Sequence, residues 1–117
     1  MVYTLFFSRL RDLSPESQTD YENRSEALNE RVAERYPGFV DMKAFVAEDG
    51  ERLTVVRFRD EESQRAWKRD PVHRVAQAEG RSDFYAEYRI AVCNELRSYQ
   101  WKLGEGSSSA TTMGGEA

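Results

Sequence analysis

The sequence predicts an α+β fold in the order β-α-β-β-α-β, one antiparallel sheet carrying its helices on one face. Three observations predict it. Four stretches are dense in aromatic and β-branched residues, the composition that fits a pleated surface. Two charged stretches between them carry apolar residues at helical spacing. An Asp-Gly pair joins the middle two strands, and glycine there takes the positive φ a tight hairpin needs.

Residues 2–11 form the first strand. Val2 and Phe6 fall on one face and Tyr3, Leu5 and Phe7 on the other, so both faces need cover. Ser14-Pro15-Glu16 then reads as an N-cap, a proline at the first helical position and an acid in the first turn. Tyr21, Leu28, Val32 and Tyr36 make the helix's apolar stripe, flanked by Ser25 and Arg35, and Pro37-Gly38 ends it. Residues 39–47 and 53–59 are the next strands, joined through Glu48-Asp49-Gly50-Glu51. In the latter, Thr54, Val56 and Phe58 share one face while Leu53, Val55 and Arg57 share the other.

Asp60 caps the second helical stretch, whose first turn carries Glu61 and Glu62. Pro71 breaks it after Asp70, and Asp70 can cap a second piece with an apolar side of Val72, Val75 and Ala76. Gly80 is the expected stop of that piece. The last strand is expected from Phe84 to about Trp101. Extended throughout, it would cover roughly 60 Å, about three times a usual strand. A bend or bulge is therefore expected to divide it, with its far end pairing outside its own sheet. Residues 1–101 make the domain, and residues 102–117, rich in glycine and serine, read as a flexible tail.

This order is the ferredoxin-like arrangement. Its helix-free face still carries apolar side chains, so a second sheet is expected to cover it, giving a homodimer with a barrel-like centre.

Charge and composition narrow the function. The 117 residues carry 17 basic against 21 acidic side chains, a net charge of −4, with no basic block to attract nucleic acid. The 39% hydrophobic share is thin for a small domain and favours oligomerisation. The single cysteine, Cys93, cannot form an intrachain disulfide and reads as a strand residue in a reducing compartment. The start has neither a basic leader nor a small-residue cleavage site, and no apolar run approaches membrane-spanning length. A cytoplasmic location, with no membrane and no nucleic-acid partner, is the expectation.

An ordered set of short motifs then carries a resemblance. Tyr21 in the first helix, Pro37-Gly38-Phe39 and Leu53-Thr54-Val55-Val56-Arg57-Phe58 are followed by Ala66-Trp67 and Asp70-Pro71-Val72-His73. Ala76-Gln77, Gly80-Arg81 and Phe84-Tyr85 leading to Tyr88-Arg89-Ile90 complete the set. Over residues 2 to about 101 the chain resembles the antibiotic biosynthesis monooxygenase family of the dimeric α/β-barrel superfamily. The resemblance implies a homodimer whose protomers each hold a substrate cavity between helices and sheet. It also implies oxidation of aromatic polyketide-like rings by molecular oxygen, without flavin or metal. Relatives on the same fold degrade haem, cyclise or isomerise, so the fold alone does not select the reaction.

Within that frame the candidate catalytic residues are His73 and Trp67. His73 is the one side chain able to titrate near neutrality unaided, and it could deprotonate a phenol. The plainer reading is a solvated histidine on a helix flank, since the sequence offers no orienting partner. Trp67 can stack on a planar ring, or simply pack its helix on the sheet. Arg89 is the candidate anion holder, with Arg57 beside it in the substrate-binding set. Both also suit a cross-strand charge ladder with Glu87 or Glu95. Tyr88, Phe58 and Phe7 are candidate walls. Strict alternation puts Tyr85 and Tyr88 on opposite faces, so at most one should face the cavity.

No metal site is expected from one histidine and one cysteine. Haem-degrading relatives pair the helix tryptophan with a histidine ten residues on, but here that position is Gln77, a poor iron ligand. They also carry an asparagine before Arg-Leu in the first strand, where this chain has Ser8 before Arg9-Leu10. The expectation is a cofactor-independent monooxygenase of a phenolic aromatic metabolite. A cyclase or isomerase, or a non-catalytic dimer binding a small molecule such as haem, are the alternatives.

Overall fold

A computed structural model describes residues 1–104; the stretch read as a flexible tail lies, from residue 105 on, outside the described residues. The chain runs β1 (Val2–Leu10), α1 (Pro15–Arg35), β2 (Phe39–Val46), β3 (Arg52–Phe58), α2 (Glu61–Lys68) and α3 (Pro71–Glu79). A π-helical turn (Gly80–Phe84) then leads into β4 (Tyr85–Asn94). The four strands form one antiparallel sheet in the order β2-β3-β1-β4, the ferredoxin-like topology.

The local devices read from the sequence appear as side-chain hydrogen bonds. Ser14 Oγ accepts from the backbone N–H of Ser17 at 3.1 Å, and Asp60 Oδ1 from that of Ser63 at 2.8 Å. Gly50 turns the β2–β3 hairpin with φ 90°, in the left-handed region that glycine enters without cost.

Because the strands are antiparallel and in register, their side chains fall into rows on each face. On the helix side the rows are Arg52–Ser8–Tyr88, Thr54–Phe6–Ile90, Val56–Thr4–Val92 and Phe58–Val2–Asn94. The core gathers at the Phe58 end, where Val32, Val56, Phe58 and Trp67 are buried together under Leu28, Tyr36, Phe39 and Met42. The opposite face carries Tyr3, Leu5, Phe7, Leu53, Val55 and Arg57, none of them covered by a helix.

The C-terminal half departs from expectation in three places. Gly80 does not stop the helix in a left-handed turn: its φ is −58°, and the chain winds on in a wider turn to Phe84. What requires a glycine there is crowding, since a Cβ would lie 2.7 Å from the ring of Tyr85. The wide turn is held from β1's end: the Arg11 guanidinium donates to the carbonyls of Ser82 at 2.7 Å and Tyr85 at 2.9 Å, and also to that of Arg81.

The last strand is also shorter than expected, ending at Asn94. A bulge is present, but at the start and not dividing the strand: Tyr85 pairs with Leu10, Glu87 with Arg9 and Tyr88 with Ser8, leaving Ala86 as the extra residue. Beyond it, Glu95 donates to the carbonyl of Met1 at 2.9 Å, and Leu96 and Trp101 are strongly exposed.

Candidate functional site

The helices stand off the sheet on the Arg52 side of the core, leaving a cavity of about 1230 Å³. Trp67 and His73 line it from the break between α2 and α3, and the construction of that break explains their geometry. In an unbroken helix the N–H of residue 71 would bond the carbonyl of Trp67; Pro71 has no N–H to give. That carbonyl instead accepts the Asp70 N–H at 3.1 Å and meets His73 Nδ1 at 3.0 Å. A carbonyl only accepts, so Nδ1 carries the proton and Nε2 holds a lone pair. The imidazole also stacks on the Trp67 indole, with centroids 4.2 Å apart and planes 11° apart. Burial lowers the pKa of His73 below its ordinary value, against the opposing pull of the Trp67 carbonyl and Asp70. The ring is therefore neutral at neutral pH.

Asp70 fixes the break. Its side chain is nearly sealed from solvent and accepts from the N–H groups of Val72 and His73, each at 3.0 Å. Arg31 from α1 reaches it at 2.9 Å, and the Tyr36 hydroxyl donates to it as well. Burial opposes the charge, yet Arg31, Tyr36 and the His73 N–H together hold the carboxyl well below the usual range. Sequence reasoning found the cap. It could not find Arg31, thirty-nine residues away, nor a backbone carbonyl as the partner of His73.

The other end of the cavity is aromatic and polar. The bulge at Ala86 turns both Tyr85 and Tyr88 toward the helix side, correcting the expectation that only one could face it. Phe6 packs between them, with centroids 5.3 and 5.4 Å away. Tyr85 places its hydroxyl 3.4 Å from that of Tyr21, and burial followed by this contact raises its pKa far above the ordinary phenol range. Arg52 also lines this end, while Thr4 lines the floor farther along, opposite Val56, and the sequence reading singled out neither. Their signal was available: Arg52 shares parity with Thr54, Val56 and Phe58.

The remaining candidates separate by strand parity. Tyr88 is a wall, while Phe58 is fully buried in the core beneath the cavity. Phe7, Arg57 and Arg89 do not reach it, because their odd positions turn them to the helix-free face. There Arg57 pairs with Asp41 across β2–β3, which replaces the expected ladder to Glu87 or Glu95. Arg89 lies 4.1 Å from the Phe7 ring centroid in a cation–π contact. Gln77 lines the cavity at the position where haem-degrading relatives place their histidine. Among the described residues no three histidine, cysteine or carboxylate side chains cluster as metal ligands.

Comparison with known proteins agrees with this architecture. The uncharacterized protein YqjZ of Bacillus subtilis is 27% identical over 100 residues, covering 84% of each chain. A mutant of SnoaB, described as a cofactor-independent oxygenase from Streptomyces nogalater, superposes with a TM-score of 0.68 at 13% identity. The match covers 83% of this chain and 94% of that one. A Bacteroides fragilis protein, described as dimeric, of unknown function and ferredoxin-like, gives 0.63 at 12% identity, over 80% of this chain and 95% of that one. The family model of the antibiotic biosynthesis monooxygenases matches residues 8–79. That span includes β1's end, α1, the hairpin and the Trp67–His73 break, and the chain belongs to the antibiotic biosynthesis monooxygenase family.

Proposed function

We propose that the chain is a small cofactor-independent monooxygenase that oxidises a phenolic aromatic metabolite in the cavity between helices and sheet. One observation carries the reading: His73 is orientation-locked by the Trp67 carbonyl and stacked on an indole at the cavity wall, where burial favours its neutral form. Nε2 takes the phenolic proton, and the electron-rich anion that results reduces molecular oxygen. For a substrate with a ring methylene, one oxygen atom becomes the new carbonyl and the other leaves as water with the two methylene hydrogens. The substrate supplies the electrons, so no flavin or metal is needed. Trp67 walls the ring system at one end and Tyr88 at the other, and together they hold the anion away from bulk water.

Oxygen uptake with a hydroxyanthrone, in flavin-free buffer with chelator, tests this. Turnover above background that falls at least ~100-fold in His73→Ala supports it. A background rate in the unsubstituted protein sinks it. Conversion to a product of unchanged mass would assign the cavity to cyclisation or isomerisation, for which a positioned base and apolar walls suffice.

The functional unit is a homodimer formed through the helix-free face. Leu5 beside Val55 and Phe7 beside Leu53 give that face a half-buried apolar centre, and a relative on the same fold is described as dimeric. A monomeric mass by light scattering at micromolar concentration would contradict it. Among the described residues no helix is long and apolar enough to cross a membrane, and exposed Cys93 fits a reducing compartment such as the cytoplasm.

A further inference from the structure

We infer that Arg52 is the anion-binding residue of the cavity, and that its ligand is a planar aromatic bearing a carboxylate at the end opposite its phenolic hydroxyl. The inference deepens the proposed function and rests on it for the location of the ligand.

Arg52 stands at the first residue of β3 on the helix-facing side, half-buried, in the row with Ser8 and Tyr88. Among the described residues no carboxylate comes within 4.0 Å of its guanidinium. The other charged side chains around the cavity, His73 apart, are exposed at its rim, where Arg65 and Glu61 pair at 2.7 Å. Elsewhere on the sheet arginines are occupied: Arg9 by Asp49 and Glu87, Arg57 by Asp41, Arg89 by the Phe7 ring. A half-buried guanidinium without a counter-charge favours an incoming anion, and its fork matches a carboxylate in two places.

The surroundings suit the same group. Arg52 lies 5.9 Å from the centroid of the Tyr21 ring, whose hydroxyl meets that of Tyr85. Tyr85, which burial keeps protonated well beyond neutral pH, donates its hydroxyl hydrogen to Tyr21, and this leaves the Tyr21 hydroxyl as the donor for a ligand. Farther along the floor, opposite Val56, the Thr4 hydroxyl is buried with no partner among the described residues, an unmet hydrogen bond that the ligand's other polar end can complete. Length sets the ligand's polarity. Trp67 packs over Val56 and Phe58, and Arg52 is four residues along β3 from Val56, roughly 13 Å at the usual strand rise. A fused-ring phenol with its hydroxyl toward His73 and its carboxylate toward Arg52 spans that interval.

The test compares 6-hydroxy-2-naphthoate with its neutral isostere 6-hydroxy-2-naphthamide by calorimetric titration. The unsubstituted protein should bind the carboxylate about 10- to 100-fold more tightly, the range of a charge-assisted hydrogen-bond pair. Arg52→Met should erase that preference while leaving the amide's affinity in place, which also shows that the variant is folded. Arg52→Lys should restore part of the preference, and Arg89→Met should leave it whole. Equal affinities in the unsubstituted protein, or a preference that survives Arg52→Met, overturn the assignment of Arg52 alone. Failure of both probes to bind, with hydroxyanthrone oxidation also absent, removes the cavity reading and this inference with it.

Discussion

The two faces of the sheet are built from the same strands, yet they treat polar side chains in opposite ways. On the helix-free face, Arg57 is matched by Asp41, Arg9 by Asp49 and Glu87, and Arg89 covers Phe7. On the helix face, among the described residues, no acid pairs with Arg52 and the Thr4 hydroxyl has no partner. Polar groups buried for stability alone are normally satisfied, because leaving one unpaired costs its full desolvation, more than a made bond returns. Groups left open beside a cavity are those whose partner arrives from outside. The contrast supports the proposed division, with the helix-free face for assembly and the helix face for chemistry.

The sharpest way to break that division is His73→Ala. Removing a base on the chemical face should cost about 100- to 10,000-fold in oxygen uptake while thermal unfolding stays nearly in place. If activity survives, the helix face loses its catalytic role. On the other face, Val55→Asp should convert dimer to monomer by light scattering, since it puts a charge into the apolar centre beside Leu5. An unaltered mass would remove assembly from that face.

Asp70→Ala is the next largest effect. It deletes a helix cap and strands Arg31, costing about 3 kcal/mol in urea unfolding. The sign of the pH dependence follows from the carboxyl lying below its ordinary value of 3.8 in the folded protein. Its contribution is complete above that value and is lost as pH falls below it toward the folded pKa.

Gly80→Ala forces a methyl against the Tyr85 ring, which Phe6 and Tyr21 hold in place, and should cost about 1–3 kcal/mol. The smallest effect is the acid limb of kcat/KM. Because burial lowers the His73 pKa, its midpoint should fall below 6.5, and a midpoint above 6.5 would contradict the neutral, buried ring.

Much of the fold was legible because its signals are local. Ser14, Asp60 and Asp70 cap helices through bonds to residues two or three along, and Asp49-Gly50 turns its hairpin with no help from elsewhere. The errors came where a single residue shifts a register. Alternation separates Tyr85 from Tyr88, but Ala86 bulges out and both return to one face, something only the pairing with β1 reveals. Parity alone would have moved Phe7, Arg57 and Arg89 away from Phe58 and Tyr88, because it needs only the strand period. The partner of His73 was hidden for another reason: it is a main-chain oxygen, and every residue has one.

That oxygen constrains how the imidazole can handle protons. With Nδ1 committed to the Trp67 carbonyl, the ring has one open port and cannot pass a proton through itself to a second group. Whatever Nε2 removes from a substrate must leave by Nε2. In the proposed oxidation, the natural recipient is the reduced oxygen that would form over the same ring and depart as water. In that reaction, a proline that removes one N–H from a helix would set the direction of proton traffic, making the acceptor of the first step the donor of the last.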